Sequence, residues 1–296
     1  MFKALNAIIE NEINESNLDF YTVIIGTKPS QGARSPKLWN RAYEYEQKRI
    51  RMVPLDVRED KLEQVFNYLK EDKQCLGGAV AVPYKEKIFN LIKENVEEEI
   101  RAIGAVNCFH RPTNGSLINE FTGTNTDGEA ALEPIRQQLI ESNNLTIGLL
   151  GFGGAGKAIL AFLLRDFEER HKVCLFNRNL IHTKDAKKNE LYSYTFNDLD
   201  TFLPHIDLLI NATSVGHVER IHETPVPAKL LAKAKKNLVV YDIIYDPIKT
   251  TLLKDSEEKG LKTINGLRMN LIQAVLAYSY TNPTSLAKEE IYKIMS

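Results

Sequence analysis

Cysteine is scarce in this chain: three among 296 residues, Cys75, Cys108 and Cys174. They are too few and too scattered for a disulfide scaffold or a zinc site, and their reduced state fits a cytoplasmic protein. Cys174 sits in a short apolar run and reads as a small core residue. Net charge is almost absent as well, at −1, which argues against nucleic acid or an anionic membrane as the main partner. No apolar run approaches the roughly 20 residues that span a bilayer. The opening stretch, Met1 to Glu15, carries acids inside its apolar pattern, so it is no signal peptide. Repeats, low-complexity tracts and long charge runs are missing, and the acidic trio Glu97 to Glu99 reads as a solvated face. What remains is a chain long enough for two domains of about 100–200 residues each, with the 43% apolar content of an ordinary globular protein.

The most informative stretch runs from Thr146 to Leu164, TIGLLGFGGAGKAILAFLL. Ile147 to Leu150 reads as a strand buried on both faces, and Ala158 to Leu164 is apolar at helical length. Between them lie Gly151, Gly153, Gly154 and Gly156. A strand turning through glycines into a helix brings bare backbone N–H groups and the positive end of a helix dipole up to a diphosphate. Gly151 allows the tight turn, Gly153 or Gly154 the close approach, and Gly156 the packing of helix on sheet. The letters G-F-G-G-A-G fit G-x-G-x-x-G, a weak motif alone. Lys172 to Phe176 supplies the second strand of a βαβ unit. An NAD site places an acid at that strand's end; here stand Asn177, Arg178 and Asn179. Arg178 offers a permanently charged fork suited to a phosphate, which favours NADP over NAD.

The rest of the chain alternates strands and helices, an α/β pattern. Phe2 to Glu15 reads as an amphipathic helix and Phe20 to Ile25 as a strand. Ser35 and Pro36 read as an N-cap followed by proline at the first helical position, opening a helix from Lys37 to Gln47. Arg51 to Leu55 (strand), Lys61 to Glu71 (helix) and Gly77 to Val82 (strand) follow. Pro83 stops the last of these and Lys85 opens a helix through about Asn95. Ala102 to Phe109 and Leu117 to Gly123 read as strands, and Glu129 to Ser142 as a linking helix. Beyond Arg178 come a helix or loop, a strand at Ser193 to Phe196, a helix over Asp198 to Leu203, and strands at Asp207 to Asn211, Leu238 to Ile243 and Lys262 to Ile264. A helix spans Thr251 to Lys259, and Asn265-Gly266 opens another at Met269 to Tyr278. Leu286 to Met295 is the last helix.

Taken together, Ser35-Pro36, Val82-Pro83-Tyr84-Lys85, Gly104-Ala105-Val106-Asn107, Asn125-Thr126-Asp127-Gly128, the glycine loop, Asn177-Arg178, Ile210-Asn211-Ala212-Thr213-Ser214 and Gly266 through Gln273 resemble the shikimate dehydrogenase family. The resemblance covers nearly the whole chain after about Phe20. It implies an N-terminal α/β substrate domain, residues 1–127 with 266–296, a Rossmann-type NADP domain, residues 128–265, and an active site in the cleft between them. It implies a cytoplasmic enzyme of aromatic amino acid biosynthesis, a monomer or a homodimer, acting on a small hydroxy acid. It also implies Lys85 and Asp127 as the catalytic pair. The chemistry agrees: oxidising a secondary alcohol with NADP needs a group that takes the hydroxyl proton as hydride leaves, and that group, protonated, donates to the developing alkoxide in reduction. A lysine suits this, since burial lowers a lysine's pKa while a neighbouring carboxylate raises it and holds the ammonium in place. Asp127 in Thr-Asp-Gly also suits a helix N-cap. Asn107 and Gln273 look like the family's amide contacts to substrate hydroxyls and Tyr245 like its substrate-side tyrosine. Amides both donate and accept, as a polyol ring requires. Gly151, Gly153, Gly154, Ala155, Asn177, Arg178, Thr213, Ile243 and Gly266 make up the expected cofactor set.

The chain also departs from the family. The usual S-x-S-P is here Ala33-Arg34-Ser35-Pro36, the polar positions of N-x-T-x-P-x-K have become Ala79 and Ala81, and Trp39 stands where a histidine is common. Each unpaired partner in a hydrogen-bonding site costs about 1–3 kcal/mol. Arg34, Ser30 and Gln31 are candidates for the missing carboxylate contact, since an arginine fork matches a carboxylate. Two enzymatic readings follow: interconversion of 3-dehydroshikimate and shikimate, or oxidation of quinate or another hydroxy acid. A non-catalytic NADP-binding regulator on the same fold is a third, which intact Lys85 and Asp127 disfavour. The tetrahydrofolate dehydrogenase type also pairs a lysine with a Rossmann domain, but Asn125 to Gly128 disfavours it.

Overall fold

Strand β1 (Phe20–Gly26) is buried along its whole length after Phe20, as its apolar run requires of a central strand. The computed structural model describes residues 2–112, 120–167, 169–180 and 192–296. They divide into two units, Met1–Thr126 with Leu271–Ser296, and Asp127–Asn270.

In the first unit, a short helix α1 (Lys3–Asn6) replaces the long N-terminal helix expected through Glu15. Two asparagines divert the backbone. Asn6 exchanges hydrogen bonds with the backbone of Ile13 at 3.1 and 3.2 Å. Asn11 pairs with Pro54 O at 2.9 Å and Asp56 N at 2.7 Å. Such side-chain bonds compete with a helix ladder. After β1 come α2 (Ser35–Tyr45), β2 (Ile50–Asp56), α3 (Leu62–Glu71), β3 (Cys75–Val80), α4 (Lys85–Ile92), α5 (Glu98–Ile103), β4 (Cys108–His110) and β5 (Thr122–Thr124). The sheet order is β2-β1-β3-β4-β5, with β1 parallel to β2 and β3 and the last two pairings antiparallel. The strand expected over Ala102 to Phe109 is a helix end followed by a turn: Ile100 and Ile103 bury one face of α5, and Gly104, at φ 69°, ends it in the left-handed region, where glycine carries no steric penalty. The start of the strand expected from Leu117 lies outside the described residues.

The second unit begins with α6 (Asp127–Leu132) and α7 (Arg136–Glu141), separated by a 3-10 turn containing Pro134. Proline interrupts the single helix expected there because it donates no hydrogen bond. Then follow β6 (Thr146–Leu150), α8 (Gly154–Phe167), β7 (Lys172–Asn177), β8 (Tyr192–Thr195), α9 (Leu199–Phe202), β9 (Leu208–Asn211), α10 (Ala228–Leu231), β10 (Val239–Asp242), α11 (Thr251–Glu258) and β11 (Lys262–Ile264). The helix or loop expected directly after Arg178 falls largely outside the described residues. All six strands are parallel, in the order β11-β10-β9-β6-β7-β8. The order reverses between β6 and β9, the switch point at which doubly wound sheets bind nucleotides.

Helix α12 (Leu267–Thr281) runs from the second unit into the first, and α13 (Lys288–Met295) ends the chain. From Leu271 on, α12 belongs to the first unit's core. Trp39 is fully buried there, its indole N–H donating to Ala274 O at 3.1 Å, with Tyr278 edge-on at 5.4 Å. The Tyr43 hydroxyl donates to Asn282 Oδ1 at 2.7 Å and pairs with Thr22 at 2.9 Å. All three cysteines are buried and free of disulfides. Burial pushes the Cys75 and Cys108 thiols up to about 12. No described helix is long and apolar enough to cross a membrane.

Candidate active site

Lys85 is the first residue of α4 and half-buried. Its carbonyl accepts from Val106 N at 3.1 Å, which ties the start of that helix to the turn bearing Asn107. The peptide bond from Val82 to Pro83 is cis, and the buried Tyr84 anchors the turn by donating its hydroxyl to Val57 O at 2.7 Å.

Asn107 is almost fully buried. Its Oδ1 accepts from Thr126 N at 2.8 Å, and its Nδ2 donates to Thr126 Oγ1 at 2.9 Å. A backbone N–H can only donate, so this pairing fixes which end of the amide carries the oxygen. Nδ2 also reaches Gln273 Oε1 at 3.5 Å, and Thr126 Oγ1 donates to Gln273 O at 3.1 Å. Asn107, Thr126 and Gln273 therefore form one cluster, although Gln273 stands in a helix, where the residue type is commonest on surfaces. Thr126 is the functional candidate that the sequence reading passed over. Neighbouring Asn125 is held by its Nδ2 donating to Ala105 O at 2.9 Å.

The carboxylate candidates separate. Ser35 does not cap α2: it is the first helical residue, and Arg34 occupies the N-cap position, already at φ −77° and ψ −27° and with no capping hydrogen bond. Helical backbone at Arg34 thus begins the helix one position earlier than the Ser-Pro pattern indicates. Ser35 is buried. Ser30 gives its hydroxyl proton to Asp56 Oδ2 at 2.5 Å and its N–H to Oδ1 at 2.8 Å. Arg34 lines a hollow of about 260 Å³ with Lys37, Leu38, Arg41, Met295 and Ser296. Gln31 is exposed. Ala79 belongs to the buried apolar cluster around Trp39 and Tyr278, and Ala33 and Ala81 pack against it.

In the second unit, Asp127 is buried at the first position of α6, where a carboxylate complements the helix dipole. Gly151 turns at φ 92°, and a Cβ there would lie 2.8 Å from Thr213 Cγ2. At Gly156 a Cβ would lie 2.3 Å from Gly151 O, whereas beside Gly153 nothing stands within 4 Å. Tight packing on two glycines and open room beside a third make a cradle at the N-terminus of α8, with Gly154 and Ala155 as its first residues. Gly151 N donates to Phe176 O at 2.8 Å, and just beyond it Asn177 ends β7 and Arg178 is exposed. Gly266 presses on Ile243, where a Cβ would lie 1.9 Å from the carbonyl oxygen. Tyr245 is half-buried two residues after Ile243. These residues fit a dinucleotide at the switch point of this sheet. Among the described residues no group of three or more His, Cys, Asp or Glu is placed to hold a metal ion.

Asp242 also escaped the sequence reading. It is fully buried at the end of β10, and its Oδ1 accepts from Asn211 Nδ2 and from Ile244 N, both at 3.1 Å, while Oδ2 accepts from Thr250 Oγ1 at 2.7 Å. Burial raises its carboxyl to about 6, against the three hydrogen bonds that lower it. The signal was an acid within an otherwise apolar strand.

Residues 24–109 match the family model described as the shikimate dehydrogenase substrate binding domain. A protein of Carboxydothermus hydrogenoformans named shikimate dehydrogenase (NADP(+)) is 33% identical over 87% of this chain and 89% of its own length. The solved shikimate dehydrogenase of Aquifex aeolicus is 28% identical and superposes with a TM-score of 0.76, covering 95% of this chain and 99% of that one. A shikimate dehydrogenase solved in complex with NADP+ gives 0.76 at 25% identity, covering 96% and 98%. With likeness of this extent across both units, the chain belongs to the shikimate dehydrogenase family.

Proposed function

We propose that this chain interconverts 3-dehydroshikimate and shikimate with NADP, as a cytoplasmic enzyme of aromatic amino acid biosynthesis. The observation that carries the reading is the 33% identity, over 87% of the chain, to a protein named shikimate dehydrogenase (NADP(+)). Residues 1–127 with 266–296 hold the substrate and residues 128–265 the cofactor. Gly151, Gly153, Gly154 and Ala155 receive the diphosphate, Asn177 and Arg178 the 2′-phosphate, and Thr213, Ile243 and Gly266 the remainder. The bound cofactor supplies the hydride as NADPH in reduction and takes it up as NADP+ in oxidation. Lys85 holds the proton at the reacting oxygen, giving it to the developing alkoxide in one direction and taking it from the hydroxyl in the other. Asp127 holds the ammonium in place. Asn107, Gln273 and Tyr245 orient the ring, and Ser35 with Arg34 receives the carboxylate.

A second reading, quinate or another hydroxy acid as substrate, is favoured by the apolar surroundings of Ala33, Ala79 and Ala81, which supply fewer hydrogen bonds than a polyol ring needs. The test is NADP reduction by purified protein with shikimate, with quinate and without substrate. Strong turnover of shikimate supports the first reading and turnover of quinate alone the second. Bound NADP with no turnover of either would instead leave the non-catalytic regulator.

A further inference from the structure

Thr250, Asp242, Asn211 and Thr213 form an unbroken chain of hydrogen bonds that ends against Gly151. Asn211 donates from Nδ2 to Asp242, and its Oδ1 accepts from Thr213 N at 3.0 Å and from Thr213 Oγ1 at 2.7 Å. Thr213 Oγ1 then accepts from Val215 N at 3.1 Å. Both hydrogen bonds that Asn211 receives from Thr213 land on its oxygen, so its nitrogen must face Asp242. Asp242 is the nearer of the two acceptors of that nitrogen, at 3.1 Å against 3.4 Å for Val215 O, and holds the amide in the orientation that the Thr213 N–H sets. The same carboxylate holds Ile244 N, and Ile244 O in turn accepts from Gly266 N at 3.0 Å. One buried side chain thus braces two stretches, residues 211–215, which approach Gly151, and residues 243–244, which approach Gly266. Among the described residues no ionic partner stands within hydrogen-bonding reach of the charge: the groups that meet it are Asn211 on the neighbouring strand β9, Thr250 at the N-cap of α11 and the Ile244 backbone. On β11, Lys262 pairs with Val239, at the opposite end of β10. A carboxylate sunk without a countercharge costs stability.

We propose that Asp242 is a positioning residue for the dinucleotide: through Asn211 it sets Thr213 against Gly151, and through Ile244 it sets Ile243 against Gly266. This rests on the reading of residues 151–156 as the cofactor loop. Asp242→Ala removes the nearer acceptor of the Asn211 nitrogen and the acceptor of Ile244 N, leaving Asn211 held from its Thr213 and Val215 side alone. Asp242→Asn keeps an acceptor oxygen for Asn211 and Ile244 and can turn its N–H toward Thr250 Oγ1.

The test is calorimetric titration of NADP+ into the full-length wild type and both variants, with KM for NADP+ and for shikimate measured alongside. Loss of one well-placed hydrogen-bonding group corresponds to about tenfold in affinity. The expected result is an NADP+ affinity about tenfold weaker in Asp242→Ala, largely recovered in Asp242→Asn, with KM for shikimate unchanged in both. Wild-type NADP+ affinity in Asp242→Ala would overturn the proposal, as would equal rises in both KM values. Should Asp242→Ala fail to fold, Asn211→Ala breaks the same chain of bonds and is read in its place by the same criteria. A wild type that binds no NADP+ would overturn the cofactor reading itself and, with it, this inference.

Discussion

Thr126 and Asn107 are joined twice, by a backbone N–H donated to the amide oxygen at 2.8 Å and by the amide nitrogen donating to the threonine hydroxyl at 2.9 Å. Thr126→Val keeps the first bond and the side-chain shape while removing the second. The Asn107 nitrogen loses its shorter contact and keeps the one to Gln273 Oε1 at 3.5 Å, at a cost of about 1 kcal/mol. The expected outcome is a KM for shikimate several-fold higher with KM for NADP+ unchanged, read from initial rates with each substrate varied in turn.

Lys85→Met and Asp127→Asn test the proton-transfer pair. Positioned acid–base groups contribute typically 10²–10⁴-fold, so kcat should fall by about that factor in Lys85→Met and by less in Asp127→Asn. Calorimetric affinity for NADP+ should stay within about twofold of wild type in Lys85→Met, if the residue acts on the proton and not on the cofactor.

Arg178→Ala tests the 2′-phosphate contact. An exposed arginine fork on a phosphate contributes a charge-assisted bond worth about 1.5–3 kcal/mol. NADP+ affinity should fall by about tenfold or more while NAD+ affinity hardly changes. Equal loss with both cofactors would remove the assignment.

The buried Asp242 carboxyl makes stability depend on pH in an unusual direction. Its pKa is raised from 3.8 to about 6, so between those values the folded chain keeps a proton that the unfolded chain has released. Its contribution is fully present below the unfolded value and is lost as pH rises through about 6. In urea unfolding, wild type should lose about 1–2 kcal/mol relative to Asp242→Asn between about pH 5 and pH 7.5.

The adjacent residue offers a contrast. Tyr241 is fully buried and its hydroxyl is the one buried side-chain polar atom without a hydrogen-bond partner among the described residues. Removing an unsatisfied group relieves a desolvation cost of about 1–3 kcal/mol. Tyr241→Phe should therefore raise the urea midpoint.

The strands of the second unit were legible because each is a short apolar run bounded by polar or glycine residues, and the glycine turn announces its own geometry. The errors in the first unit have two local causes. Phe2, Leu5, Ile9 and Ile13 have helical spacing and are all buried, but Asn6 and Asn11 take the backbone hydrogen bonds for other purposes. Ala102 to Phe109 is apolar enough for a strand, yet Gly104 divides it. The site was legible residue by residue but not as a network. Nothing local to Thr126 or Asp242 shows that Asn107, 19 residues before the first, or Asn211, 31 before the second, would need a partner there. Trp39 shows the limit from the other side. Its position suggested a place in the pocket, whereas its indole is wholly enclosed and bonded to α12.

The first unit's core is closed by α12 and α13, which bring Ala274, Val275, Tyr278, Ile291 and Met295 to Leu38, Trp39 and Tyr43. During synthesis, then, the first sheet and α2 wait with their shared core incomplete while all of residues 127–270 are made and fold, since domains generally fold as units when their chain is complete. A ribosome stalled within α12 would hold a finished second unit and an unfinished first one. The two halves of the reaction would mature in the reverse of the order in which they are encoded.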